Sequence, residues 1–170
     1  MGYLISYRFH QVRILATHVE AALAAIHLLY QPETIERWGT GMTFDRTTRT
    51  TKPCYRSASL PPDGGFATLI DALRSWSLQA VQQPNGDVEI VEYLADKAGD
   101  EAVLFAAISP YLDQSDRPKI DAFQDNQQYW RHTFAGGQHR QVCGKVVYAD
   151  EHPQLFDRAE RFDETETASD

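Results

Sequence analysis

The chain has 170 residues, 42% hydrophobic and 24% charged, with 16 Lys and Arg against 24 Asp and Glu for a formal net charge of −8. That is enough for one ordinary domain with its own core, without help from a disulfide or a metal. The acidity argues against direct nucleic-acid binding and against a polybasic membrane-surface protein, both of which use basic surfaces.

Arg8, His10 and Arg13 interrupt the apolar residues between Met1 and Leu15. A signal peptide keeps its apolar run unbroken, and a membrane-spanning helix needs roughly 18 apolar residues, so a cytoplasmic protein is expected. Cys54 and Cys143 then read as free thiols, with a disulfide between them as the lesser alternative. Residues 151–170 hold seven acids and two bases. The expected organisation is one domain over residues 1–150 and an acidic tail over 151–170 whose last residues are disordered.

In chain order, Tyr3, Ile5, Tyr7 and Phe9 alternate with Leu4, Ser6 and Arg8, predicting a first strand that continues through Val12 and Ile14. Thr17 and Glu20 have capping-box spacing. Val19, Leu23, Ile26 and Tyr30 share one face of a helix over about 18–30. Pro32 opens a short second helix to Trp38. The Thr-rich residues 40–60 read as a loop or an exposed edge hairpin. Phe66, Leu69, Ile70 and Leu73 predict a helix over about 66–75, started by Asp63 or a glycine. A strand from Trp76 up to Pro84-Asn85-Gly86-Asp87 and a returning strand from Val88 to Leu94 are predicted, with Asn-Gly marking the hairpin. Ala102 to Ile108 reads as a buried central strand, Lys119 to Phe123 as another, and Tyr129 to Phe134 with Arg140 to Tyr148 as a last hairpin. The fold class is α+β: an antiparallel sheet of five to seven strands with two main helices packed on one face.

Four constellations bear on chemistry. His132, His139 and Cys143 can meet across the last hairpin as a metal site or a thiol–imidazole pair, although Cys143 falls in a strand where burial is the usual outcome. Cys54 lies in the Thr-rich loop and reads as the more exposed thiol. Asp63-Gly64-Gly65 opens a helix as an anion site would, but lacks Gly-Lys-Ser/Thr and carries a repelling acid. Acids crowd two stretches, Glu89, Glu92, Asp96, Asp100 and Glu101, then Asp113, Asp116, Asp121 and Asp125. Acids in turns are usually just solvated, yet a face of acids also fits a basic groove on another protein. Tyr111, Tyr129, Trp130 and Tyr148 add aromatics of the kind that anchor interfaces or fill a core.

Tyr129-Trp130-Arg131-His132-Thr133-Phe134, Gly136-Gly137 and Gly144-Lys145-Val146-Val147-Tyr148 form a segment over residues 129–148 that resembles the closing hairpin of small uncharacterised bacterial and phage proteins. The resemblance implies a phage or mobile-element origin and no particular activity. No motif implies a metal, a cofactor or a catalytic residue. The sequence thus points to a non-catalytic acidic protein that binds another protein. Its sharpest form is an inhibitor of a host nucleic-acid-binding defence effector, in the manner of an anti-CRISPR protein. Glu89, Glu92, Asp113, Asp116, Tyr111 and Trp130 are its candidate contact residues. The alternative is a small enzyme using the His/Cys group or a carboxylate cluster.

Overall fold

The computed structural model describes residues 5–46, 48–62, 64–95, 99–125 and 128–145. Nine strands and four α-helices follow one another as β1 (Ile5–His10), β2 (Arg13–Ile14), α1 (Val19–Leu29), α2 (Pro32–Trp38), β3 (Gly41–Asp45), β4 (Thr50–Cys54), α3 (Leu69–Ser75), β5 (Leu78–Gln82), β6 (Val88–Tyr93), α4 (Glu101–Ile108), β7 (Lys119–Gln124), β8 (Tyr129–Ala135) and β9 (Gln138–Gly144). The strands make a four-stranded sheet ordered β1-β7-β8-β9, a three-stranded sheet ordered β2-β6-β5 and the separate hairpin β3-β4. All pairings are antiparallel.

The α+β class therefore holds, but the largest sheet has four strands rather than five to seven. One cause is Gln11, whose φ of +53° breaks the expected continuous first strand. β1 pairs with β7, whereas β2 pairs with β6. The chain thus changes sheet between His10 and Arg13.

A second correction concerns residues 102–108, which form helix α4 rather than a strand. Ala102, Val103, Leu104, Phe105, Ala106, Ala107 and Ile108 are apolar in every direction, and such a run carries no period to separate strand from buried helix. Its three alanines favour the helix, which packs against α1 and β9 and buries Leu104, Phe105 and Ile108 in the core.

The remaining helices start where backbone donors find partners. Thr17 does not cap α1: a 3-10 turn, Ala16–His18, precedes the helix. The Ala16 N–H is instead taken by Asp87 Oδ1 at 2.8 Å. Thr68 caps α3, its hydroxyl accepting from the Asp71 N–H at 3.1 Å. The proposed cap Asp63 lies outside the described residues, as do Asp96, Tyr148 and the tail 151–170. The β5–β6 turn is present, with Gly86 taking the positive φ of +89°. Residues 40–60 resolve into the exposed hairpin β3-β4.

One apolar core joins these parts, with Trp76, Phe105, Ile14, Ile26, Leu78 and Ile120 fully enclosed. Gln11 provides a direct check on the architecture. In urea titrations Gln11→Gly should keep stability within about 1 kcal/mol, whereas Gln11→Val should lose roughly 1–2 kcal/mol, because a β-branched side chain resists a left-handed backbone.

Candidate interaction site

β2 contains Arg13, which lies opposite Glu89 on β6. The bridge Ile14–Leu112 and the Asp113 N–H to Arg13 carbonyl bond, 2.8 Å, draw the segment after α4 alongside. Acids from two distant stretches therefore meet at one arginine. Arg13 Nη2 donates to Asp113 Oδ2 and lies 3.8 Å from Asp116 Oδ2, while Arg13 Nε lies 3.8 Å from Asp87 Oδ2. Glu89 accepts from Gln83 Nε2 at 3.0 Å. An open concavity of about 500 Å³ is lined by Gln11, Arg13, Gln83, Asp87, Glu89 and Asp116.

These carboxylates are not equivalent. Asp113 accepts from the Ser115 N–H at 3.0 Å. That bond and Arg13 hold its carboxyl down at about 2. Asp113 thus fixes the turn. Asp87 is buried, bonded to Ala16 N–H and to Asn85 Nδ2 at 2.9 Å. Asp116 is open to water, its side chain 48% exposed. Glu89 is half-exposed. Three carboxylates share one guanidinium and Glu89 adds a fourth acid beside them, so the concavity is acidic. Glu92 stands apart, exposed and opposite Gln79.

The other acids serve elsewhere. Asp100 and Glu101, expected as turn acids, are buried. Asp100 accepts from the Arg56 N–H at 2.6 Å, and its own N–H donates to Ser57 Oγ at 2.7 Å. Glu101 accepts from the Gly99 N–H at 2.7 Å and from the Tyr93 hydroxyl. Burial first, and then Glu101, hold the Tyr7 and Tyr93 hydroxyls well above the ordinary tyrosine range. Asp121 belongs to the four-stranded sheet, bonded to Arg131 and to His10.

Neither candidate aromatic anchor stands free. Tyr111 packs against the core, its ring 6.4 Å from that of His18, whose Nδ1 donates to the Tyr111 carbonyl at 3.3 Å. Trp130 is half-buried against the same core. Sequence reasoning missed Arg13 and Asp87, which organise the concavity. A lone arginine in a strand gave no signal, because its partners arrive from segments about 70 and 100 residues away.

The histidine expectation is met in part. The rings of His132 and His139 stack with centroids 5.1 Å apart, and His132 Nδ1 lies 2.8 Å from His139 Nε2. Trp130 Nε1 donates to His132 Nε2 at 3.1 Å. An indole N–H can only donate, so His132 carries its proton on Nδ1 and passes it as a donor to His139. The relay leaves His132 with no nitrogen free to act as a base. Burial and then His139 push His132 down to about 4, and burial lowers His139. Cys143 lies opposite Trp130 and is exposed, while Cys54 is half-buried, the reverse of their expected order. Both are free thiols. Among the described residues no group of three or more His, Cys, Asp or Glu could hold a metal ion.

Just after Gly64-Gly65, the Phe66 N–H donates to His27 Nε2 at 3.1 Å. No helix is long and apolar enough to cross a membrane, among the described residues. Compared with protein families, curated proteins and solved structures, the chain matches none.

The His pair sets a pH dependence. Both groups titrate lower in the folded chain than their ordinary 6.5, so the unfolded chain binds more protons below that value and stability rises with pH. The melting temperature should fall as pH is lowered from 7 to 5. His132→Gln, which still offers Trp130 an acceptor, should flatten that slope even if it lowers the value at pH 7.

Proposed function

We propose that this chain is a non-catalytic binding protein that acts on another protein through its acidic surface. The observation that carries the reading is the concavity at Arg13, where Asp87, Asp113 and Asp116 share a single cation and Glu89 adds a carboxylate held by Gln83. A basic side chain of a partner entering beside Asp116 and Glu89 would meet carboxylates already held in place. Such a surface attracts basic grooves of the kind that hold nucleic acid, so a nucleic-acid-binding defence effector is the partner class we propose. Tyr111 and Trp130 pack on the core and Glu92 stands apart on β6, so the reading rests on the acids at Arg13 rather than on those three. The small-enzyme alternative would take His132 as its base, and that side chain is engaged on both ring nitrogens.

The test uses the partner recovered from nuclease-treated lysate of the source cells. Its affinity for the chain should weaken with salt, mainly through slower association, because exposed charges are screened over roughly 8 Å at physiological ionic strength. The double reversal Glu89→Lys and Asp116→Lys should weaken binding about tenfold or more while the fold is retained. Asp113→Ala should act differently, lowering the melting temperature through loss of the Ser115 and Arg13 bonds. Binding that ignores salt and the double reversal, but is lost in Phe44→Ser, would overturn the acidic mechanism. Phe44 is 60% exposed beside Met42 on β3, and such a result would place the contact on that hairpin instead.

A further inference from the structure

The face of the four-stranded sheet turned away from the core is ordered by register into three rows. Ser6, Phe123, Tyr129 and Gly144 form the first. Arg8, Asp121, Arg131 and Val142 form the second. His10, Lys119, Thr133 and Arg140 form the third. The opposite face carries Tyr7, Ala122, Trp130, Phe9, Ile120 and His132 toward the core, where Phe105 of α4 lies 4.9 Å from the His132 ring. Among the described residues α4 packs on one side of this sheet and the other is left open. Arg8, Phe123, Arg131, Arg140 and Val142 are exposed there.

This face reverses the charge of the chain. It carries four permanent cations, Arg8, Lys119, Arg131 and Arg140, against the single carboxylate Asp121. Asp121 sits at the centre, bridged to Arg131 and to His10 Nε2 at 3.1 Å. Its carboxyl is held below the usual range chiefly by the Arg131 bond. The ionised carboxylate neutralises one charge and orients Arg131, and the four permanent cations still outnumber it. Aromatic rings adjoin the charges: Phe123 and Tyr129 lie 5.7 Å apart, and the Arg8 guanidinium sits 5.8 Å above the Phe123 ring.

From this juxtaposition of a cationic grid and a partly exposed aromatic row, we propose that the outer face of the four-stranded sheet binds single-stranded nucleic acid. Rows on one side of a strand are roughly 6.5–7 Å apart, a spacing that brings phosphates to the second and third rows while bases reach the first. Bases stack on aromatic rings and on guanidinium planes, and cations track the backbone without reading sequence. Paired bases in a duplex hide the faces this row would stack. Net charge argued against such binding only because it sums over the whole surface, whereas the sheet gathers cations on one side and the Arg13 concavity gathers acids elsewhere.

The experiment is fluorescence anisotropy of the full chain with labelled oligo(dT), the matching duplex and poly-glutamate as probes. The single strand should bind best, with log affinity falling against log salt at a slope of about −2 to −3, as expected for up to four phosphate contacts. Arg8→Glu with Arg140→Glu should weaken binding about tenfold or more. Phe123→Ala should weaken it about fivefold or more through lost stacking. Unchanged melting curves would show that these exposed substitutions leave the fold intact. No binding of oligo(dT) at low salt overturns the proposal, and so does binding that survives the arginine reversals in a folded chain. Poly-glutamate binding as well as oligo(dT), with Phe123→Ala silent, also overturns it and assigns the face to an acidic polypeptide.

Discussion

Gln11 holds a left-handed backbone between two strands that belong to different sheets. Its side chain is exposed, so no packing is gained from the residue itself. The turn at this point lets Val12 and Ile14 enter the core while Tyr7 and Phe9 line the four-stranded sheet. The Val12 carbonyl then accepts from the Ile90 N–H at 2.9 Å, which locks the second sheet onto the same segment. α4 packs against α1 and β9, and both candidate surfaces lie outside it. The left-handed residue costs on the order of 1–2 kcal/mol, a small loss beside the apolar burial it permits on both sides.

Arg13 extends that constraint to the surface. It joins β2, the β5–β6 turn through Asp87 and the segment after α4 through Asp113. Its side chain is 37% exposed, so no single pair contributes much to stability in water. Its effect is positional: carboxylates that would otherwise repel one another are kept within reach of one cation. The four-stranded sheet has the complementary arrangement, one carboxylate among several cations. A chain with eight more acids than bases thus presents two surfaces of opposite sign.

Local pattern made much of the fold legible. α1, α2, the β5–β6 hairpin and the β8–β9 hairpin follow from helical spacing, Pro32, Asn85-Gly86 and Gly136-Gly137. α4 did not, because a run apolar on every side has no period to read. The number of strands in each sheet did not either, since it depends on the turn at Gln11, and a glutamine gives no sign of positive φ. The acids were visible, but their roles were not. Asp100 and Glu101 read like solvated turn residues, and only tertiary packing places them under Arg56 and Tyr93. The basic face was hidden because Arg8, Lys119, Arg131 and Arg140 are scattered along the chain and align only by register.

The pairing of β1 with β7 carries a consequence for how the molecule is made. Ile5 lies opposite Gln124, so the four-stranded sheet joins the start of the described chain to a segment more than a hundred residues later. Closing that loop precedes any reward from the contact, which slows folding relative to a chain of local hairpins. During synthesis β1 waits with an unpaired edge and the apolar side chains of Tyr7 and Phe9 uncovered. Until β7 has left the ribosome, a nascent chain is exposed to mispairing at that strand. Heat or mutation that loosens β7 would recreate the same vulnerable edge in the finished protein.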